Sequence, residues 1–163
     1  MKKFLKFFAI FLVIALIGIQ FVRPEKITTS DIGPDHLTKK VQVPANVESI
    51  LKRSCYDCHS NHTVWPWYSN VAPVSWLVAG DVNDGRKKMN FSEWGKLSAT
   101  KQEKKLTDIC DEVTEGGMPL PKYLIIHKDA ALSQADKDVL CNWVKSLGAG
   151  TDEGDKKDEK KDK

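Results

Sequence analysis

Two cysteines and a histidine in the middle of the chain have the spacing that attaches a haem covalently. The run Cys55–His59, called the attachment motif below, reads Cys-Tyr-Asp-Cys-His. Each thiol of such a motif can add to one vinyl group of a haem, and the adjacent imidazole then binds the iron as its proximal ligand. The sequence therefore predicts one covalent haem c, held by Cys55, Cys58 and His59.

Two other chemistries use the same residue types. A zinc site could take Cys55, Cys58 and either His59 or His62, but no second ligand pair stands at the spacing of a zinc finger. A thioredoxin-like redox pair would need a strand–helix–strand setting, and no alternating strand pattern surrounds the motif. Zinc binding and thiol redox chemistry remain the alternatives to covalent haem.

Haem iron has a second axial position, and Met118 is the residue best suited to it. It lies past a predicted helix, in the stiff turn Gly116–Pro121, where it is poorly placed to fill the interior of an amphipathic element. We therefore expect the iron to be bound by His59 and Met118. The alternatives are Met89, His127 and an open or water-bound site. Two further histidines are less suited: His62 is only three residues from His59, too near to reach the opposite face of the same haem, and His36 lies in the predicted linker.

The elements that must position these residues are helices. Apolar spacing predicts four of them, with no strand of any length and no internal repeat. The fold class is mainly α: a small c-type cytochrome-like helical domain with long irregular connections around one haem. The predicted helices are Pro44–Ser54, Val74–Asp84, Thr100–Glu115 and Ser133–Leu147. Their expected end signals are a capping-box spacing at Thr100–Glu103 and the glycines Gly85, Gly116 and Gly148.

Residues 1–23 predict a membrane anchor or signal. Three lysines precede the apolar run Phe7–Val22, which Gln20 alone interrupts. No convincing small-residue cleavage site follows, so we expect an uncleaved anchor over residues 4–22, with secretion after cleavage as the alternative. The lysines should stay in the cytoplasm. The rest of the chain then lies on the periplasmic side of a bacterial cytoplasmic membrane, where haem c is attached.

The remaining sequence divides into three parts. We expect a linker over 24–43, the haem-binding domain over 44–150 and a disordered charged tail over 151–163, which has no apolar residue to bury. The formal net charge is +3, but the first 23 residues hold four cations and no acid, so the rest sums to −1. This balance gives no support to nucleic-acid binding.

Two further features accompany the motif. Cys110 and Cys141 lie on the apolar sides of two predicted helices, and in an oxidising compartment we expect a disulfide between them; two buried thiols are the alternative. The basic run Arg86–Lys88 indicates a docking spot, partners for haem propionates or simply a solvated helix end.

Several short motifs follow one another along the chain: Cys55–Asn61, Trp65–Ser69, Ala72–Leu77, Asn90–Trp94 and Met118–Pro119. In this order they resemble the bacterial haem-binding domain family of membrane-anchored monohaem c-type cytochromes. The resemblance covers roughly residues 44–147. It implies a covalent haem with His59 as proximal and Met118 as distal ligand, and it implies no particular partner.

Ligation by both His59 and Met118 would leave no place on the iron for a substrate, which suits one-electron transfer. The expected role is therefore an electron carrier at the outer face of the membrane, exchanging electrons with redox partner proteins that the sequence does not identify. An open or labile distal site would instead suit a haem enzyme that reduces peroxide, or a gas or redox sensor.

Overall fold

The computed structural model of the chain describes residues 1–149. Within this range the chain is helical and has no β-strand, which confirms the predicted mainly α class. The predicted tail over 151–163 lies outside the described residues. The α-helices are α1 Lys2–Ile19, α2 Leu37–Lys40, α3 Ala45–Ser54, α4 Tyr56–His59, α5 Val74–Lys88, α6 Ala99–Glu115, α7 Pro121–Leu124 and α8 Gln134–Ser146. Short 3₁₀ segments occupy Trp67–Asn70, Phe91–Lys96 and Lys128–Ala130.

The contacts within the chain define two compact units, each built from two separate stretches. The first unit comprises Met1–Asp31 and Asp57–Asn90, and the second comprises Ile32–Tyr56 and the chain from Phe91 onward. Because α4 spans Tyr56–His59, it stands where the chain passes from the second unit to the first. The domain boundaries predicted at 23, 43 and 150 stay a prediction.

In the first unit, α1 buries none of its side chains, although most of them are apolar. Within residues 1–149, no helix combines the length and the apolar composition needed to cross a membrane. The end of the apolar run is attached to a later part of the same unit. The Gln20 side chain donates to the carbonyl of Ala72 at 3.0 Å and accepts from the Ala72 N–H at 2.9 Å. The indole N–H of Trp76 donates to the carbonyl of Val22 at 2.7 Å.

The principal helix of the first unit after α1 is α5, which packs against the 3₁₀ segment Trp67–Asn70. The prediction that this helix ends at Gly85 is wrong, because it continues to Lys88. Gly85 stands inside the helix, where another part of the chain approaches its backbone. The extra turn, Gly85–Met89, is the one that contacts the attachment motif.

The core of the second unit forms between α3, α6 and α8. The predicted disulfide is confirmed: Cys110 on α6 is bonded to Cys141 on α8. The apolar stripes that predicted these helices face inward. The buried side chains are Val47, Ile50 and Leu51 on α3, Leu106, Ile109 and Val113 on α6, and Leu140, Trp143 and Val144 on α8.

The start of α6 differs from the prediction and the start of α8 agrees with it. The first residue of α6 is Ala99, after Ser98 as N-cap, so Thr100 is the second residue of the helix and the spacing Thr100–Glu103 does no capping. The capping box is at α8, where Ser133 and Asp136 bond each other's backbone N–H groups. The predicted end of α6 is confirmed, since Gly116 adopts a left-handed conformation with φ of 79°.

Part of the segment predicted as a linker, 24–43, is packed into the second unit. It contains α2, in which Leu37 is 0% exposed, and His36 before it is also buried. The carbonyl of Gln42 accepts a hydrogen bond from the indole of Trp143 at 3.1 Å. Residues 36–42 therefore contribute to the core and the hydrogen bonds of the second unit.

Candidate haem-attachment site

The attachment motif lies at the junction of two helices. Cys55 is the C-terminal cap of α3, and its N–H donates to the carbonyl of Leu51 at 2.9 Å. Cys58 and His59 are the last residues of the single-turn helix α4. Both cysteine side chains are partly exposed and neither belongs to the Cys110–Cys141 disulfide. The motif thus presents two sulfur atoms three positions apart, as covalent haem attachment requires.

His59 has the orientation expected of a metal-binding histidine. Its Nδ1 lies 3.0 Å from the carbonyl oxygen of Met89, the residue that caps α5. A carbonyl oxygen only accepts, so Nδ1 carries the proton and Nε2 keeps its lone pair. Metal-binding histidines are commonly fixed in this way, by a carbonyl or carboxylate that holds the other ring nitrogen. The imidazole is therefore set in the tautomer that can bind iron through Nε2.

The helix turn that supplies this carbonyl packs closely on the motif. A methyl group placed on Gly85 would come within 2.8 Å of the carbonyl oxygen of Cys58 and 3.3 Å of its Cβ. Such a short distance to backbone leaves no room for a side chain, so glycine is needed here for close approach. Sequence reasoning assigned Gly85 to a helix end, because glycine is common just past the last residue of a helix.

Arg86 also faces the segment that follows His59. Its guanidinium donates to the carbonyl of Ser60 at 2.8 Å. By contrast, its neighbour Lys87 is 77% exposed and pairs with Asp84 at 3.2 Å. The basic run Arg86–Lys88 is therefore divided: Arg86 is part of the structure around the motif, whereas Lys87 is a solvated helix-end cation.

The chain after the motif, Ser60–Val64, is called the motif loop here, and residues 27–29 of the same unit run beside it. The Thr29 N–H donates to the carbonyl of Asn61 at 2.8 Å. Nδ1 of His62 lies 2.7 Å from the carbonyl of Thr29 and therefore donates to it. These contacts hold His62, one of the alternative ligands, to the neighbouring segment.

Met118 lies in the tight turn that the sequence predicts. The left-handed Gly116 ends α6, and the N–H of Met118 then turns back to donate to the carbonyl of Glu112 at 3.1 Å. Its side chain is partly exposed. Met118 belongs to the second unit and His59 to the first, so distal ligation by Met118 stays a prediction.

The remaining alternative ligands have local roles. Nδ1 of His36 accepts from the backbone N–H of Thr38 and caps α2. The ring of His127 stacks on Tyr123 with a centroid distance of 4.1 Å. Met89 contributes its backbone carbonyl to His59, a contact that sequence reasoning missed because it weighed only the sulfur of this residue. No pattern of side chains signals a carbonyl acceptor.

Zinc binding is one of the two alternatives to haem at the motif. In the part of the chain that the structure describes, no three His, Cys, Asp or Glu side chains are grouped so that they could hold a metal ion. The residue types of the motif do fit a haem, since it offers two partly exposed cysteines and a histidine whose Nδ1 is held by a carbonyl.

Comparison with known proteins gives one match. The sequence model of a family described as a haem-binding domain matches residues 14–146. The matched range includes most of both units and the whole attachment motif. No match was found among curated proteins or among solved structures.

Proposed function

The chain belongs to the haem-binding domain family, and on this basis we propose that it carries one covalent haem c and transfers single electrons. Cys55 and Cys58 would form the two thioether bonds, and His59 would bind the iron. The observation that carries the proposal is the 3.0 Å contact between Nδ1 of His59 and the carbonyl of Met89, because it prepares Nε2 for iron. When bound, the haem supplies a one-electron iron couple.

Covalent attachment is tested on the full chain, produced in a host that matures c-type cytochromes. We expect the intact mass to exceed that of the polypeptide by one haem, and the haem to remain on the chain after denaturation in acid and acetone. The double variant Cys55→Ala/Cys58→Ala should lose the haem under these conditions. Replacement of the disulfide pair, Cys110 and Cys141, is the matched control and should leave attachment unchanged. Haem that is extracted from the wild-type protein would contradict covalent attachment.

An iron with two protein ligands suits electron transfer, because no coordination position stays open for a substrate. We propose Met118 as the second, supported by its position in a turn whose backbone is fixed on Glu112. Thioether ligation raises the reduction potential and leaves no open coordination position. Met118→Ala should therefore change the ferric spectrum from low-spin, with a weak far-red charge-transfer band, to high-spin, and should permit rapid carbon monoxide binding in the ferrous form.

Met89→Ala is the matched control for the distal ligand. It removes the other sulfur considered for this position but keeps the backbone carbonyl that bonds His59. We expect its spectrum to match that of the wild type. A high-spin wild-type spectrum would instead favour a haem enzyme or a sensor with an open distal site. An unchanged spectrum in Met118→Ala would assign the ligand to another residue.

We also propose that residues 4–22 hold the protein at the periplasmic side of the cytoplasmic membrane. The support is the apolar α1, none of whose side chains is buried, and the three lysines at its start. Fractionation of cells that produce the full chain tests this placement. Recovery in membranes after an alkaline wash, with an intact mass that includes residue 1, is the expected result. A soluble periplasmic chain lacking this segment would establish secretion after cleavage.

A further inference from the structure

Arg86 makes an unusual set of contacts for a residue in a run of basic side chains. Nε donates to the carbonyl of Ser60 at 2.8 Å, and Nη2 donates to the carbonyl of Ile27 at 2.8 Å and to Oγ1 of Thr63 at 2.9 Å. All three acceptors are uncharged oxygen atoms. No ion pair formed within residues 1–149 includes this guanidinium. Arg86 is therefore bound as a structural cation.

Two of the acceptors of Arg86, Ser60 and Thr63, lie near the two ends of the motif loop. Ser60 directly follows His59, and Thr63 donates from its hydroxyl to the carbonyl of Asp57 at 2.6 Å. Ser60 is 0% exposed and Thr63 3% exposed, so water does not replace these bonds easily. One guanidinium thereby connects Ser60, which follows His59, with Thr63, which is hydrogen-bonded to Asp57 of the attachment motif.

Arg86 lies one turn before Met89, whose carbonyl accepts from His59. The helix turn thus contacts consecutive parts of the chain twice: the Met89 carbonyl bonds the imidazole of His59, and the guanidinium of Arg86 bonds the motif loop directly after it. If the loop moved away from α5, the distance between Nδ1 and the Met89 carbonyl would change with it. The position of the His59 imidazole therefore depends on Arg86, which holds the residue directly after His59.

The positive charge of Arg86 also acts on the surroundings of His59. Burial lowers the pKa of its guanidinium, and an arginine remains protonated at neutral pH nevertheless. A positive charge close to an iron centre disfavours the ferric state relative to the ferrous state, and it does so more strongly where water is excluded. Removal of this charge should then make the iron harder to reduce.

We propose that Arg86 is a positioning residue for the proximal ligand: it locks the motif loop so that His59 stays on the Met89 carbonyl, and its charge raises the reduction potential of the attached haem. This inference rests on the proposed function, since it concerns the same histidine. It assigns to Arg86 a role that neither lysine of the run shares, because only Arg86 is directed into the motif loop.

Three variants of the full-length holoprotein test the proposal. Arg86→Gln removes the charge and most of the hydrogen bonds, whereas Arg86→Lys keeps the charge but lacks the planar fork whose Nε and Nη2 bond acceptors on different sides. Lys87→Gln is the matched control, because it makes the same change of charge at an exposed neighbour. The measurements are the midpoint potential of the haem and the exchange rate of the His59 Nδ1–H by nuclear magnetic resonance in the ferrous state.

We expect Arg86→Gln to lower the midpoint potential more than Lys87→Gln does, and both Arg86 variants to accelerate Nδ1–H exchange. The midpoint potential of Arg86→Lys should be closer to that of the wild type than the potential of Arg86→Gln is. If Arg86→Gln does not accumulate in cells, the exchange rate is measured on Arg86→Lys alone. Potentials and exchange rates equal to those of Lys87→Gln would overturn the role of Arg86 while leaving haem attachment intact. A wild-type chain without covalent haem would defeat the proposed function, and this inference with it.

Discussion

The close approach between α5 and the attachment motif can be tested with a single methyl group. Gly85→Ala places a Cβ 2.8 Å from the carbonyl oxygen of Cys58 and 3.3 Å from its carbonyl carbon. The obstructing atoms belong to the backbone, which cannot rotate away as a flexible side chain would. Gly80 lies in the same helix, and a Cβ there meets nothing within 4 Å. Gly80→Ala is therefore a matched control for every effect except the contact.

The size of the effect follows from two opposing contributions. Alanine in place of glycine inside a helix gains about 1 kcal/mol at either position. Insertion of a methyl group into a well-packed site costs about 1–3 kcal/mol, and only Gly85→Ala has this cost. The helix gain cancels between the two variants, so Gly85→Ala should be less stable than Gly80→Ala by about 1–3 kcal/mol.

The comparison is made by urea denaturation of the full-length protein in detergent, followed by circular dichroism. The same samples report the Nδ1–H resonance of His59, which should shift in Gly85→Ala as α5 moves away from the motif. The Gly80→Ala resonance should stay at its wild-type position. Equal unfolding free energies for the two variants, or a more stable Gly85→Ala, would refute the close packing of α5 on Cys58.

Three other predictions concern stability. Reduction of the disulfide between α6 and α8 releases a loop with a sequence separation of 31 and should lower the free energy of unfolding by about 3–4 kcal/mol, measured in urea with and without reductant. Hydrogen bonds from Ser133 lower the pKa of Asp136. The stability that its carboxylate supplies is therefore present above the usual aspartate pKa and is lost as the pH falls through the lowered pKa. Asp136→Asn should cost about 1 kcal/mol at pH 7 and make the unfolding free energy depend less on pH in the acid range. Gln20→Leu removes both hydrogen bonds to the peptide of Ala72 and should cost about 1–3 kcal/mol, whereas unchanged urea midpoints would show that those bonds contribute nothing.

Local patterns predicted the helices well where apolar spacing and end signals agreed. The stripe of α8 and its start after Ser133 are examples, as is the end of α6 at Gly116. Prediction was wrong where two local signals competed. Ser98 and Thr100 both suit a helix start, and Gly85 suits a helix end as well as a close contact, so spacing along the chain could not choose between them.

The attachment motif could be recognised because its chemistry is contained in five consecutive residues. The groups that support His59 could not, because they come from α5, about thirty positions further along. One of them is a backbone carbonyl, which every residue has and no sequence pattern marks. Arg86 looked like its lysine neighbours until the position of the motif loop was known. Spatial proximity, which only the fold provides, distinguishes these residues.

The pairing of Gln20 with Ala72 affects how the protein could be matured. A signal peptide is normally disposable, because the enzyme that removes it leaves the folded product unchanged. In this chain the side chain of Gln20 and the carbonyl of Val22 are hydrogen-bond partners of Ala72 and Trp76, in the unit that contains His59. Removal of the segment would leave these groups unsatisfied. In addition to the proposed role of residues 4–22 as an anchor, the end of the apolar segment is therefore a building element of the first unit.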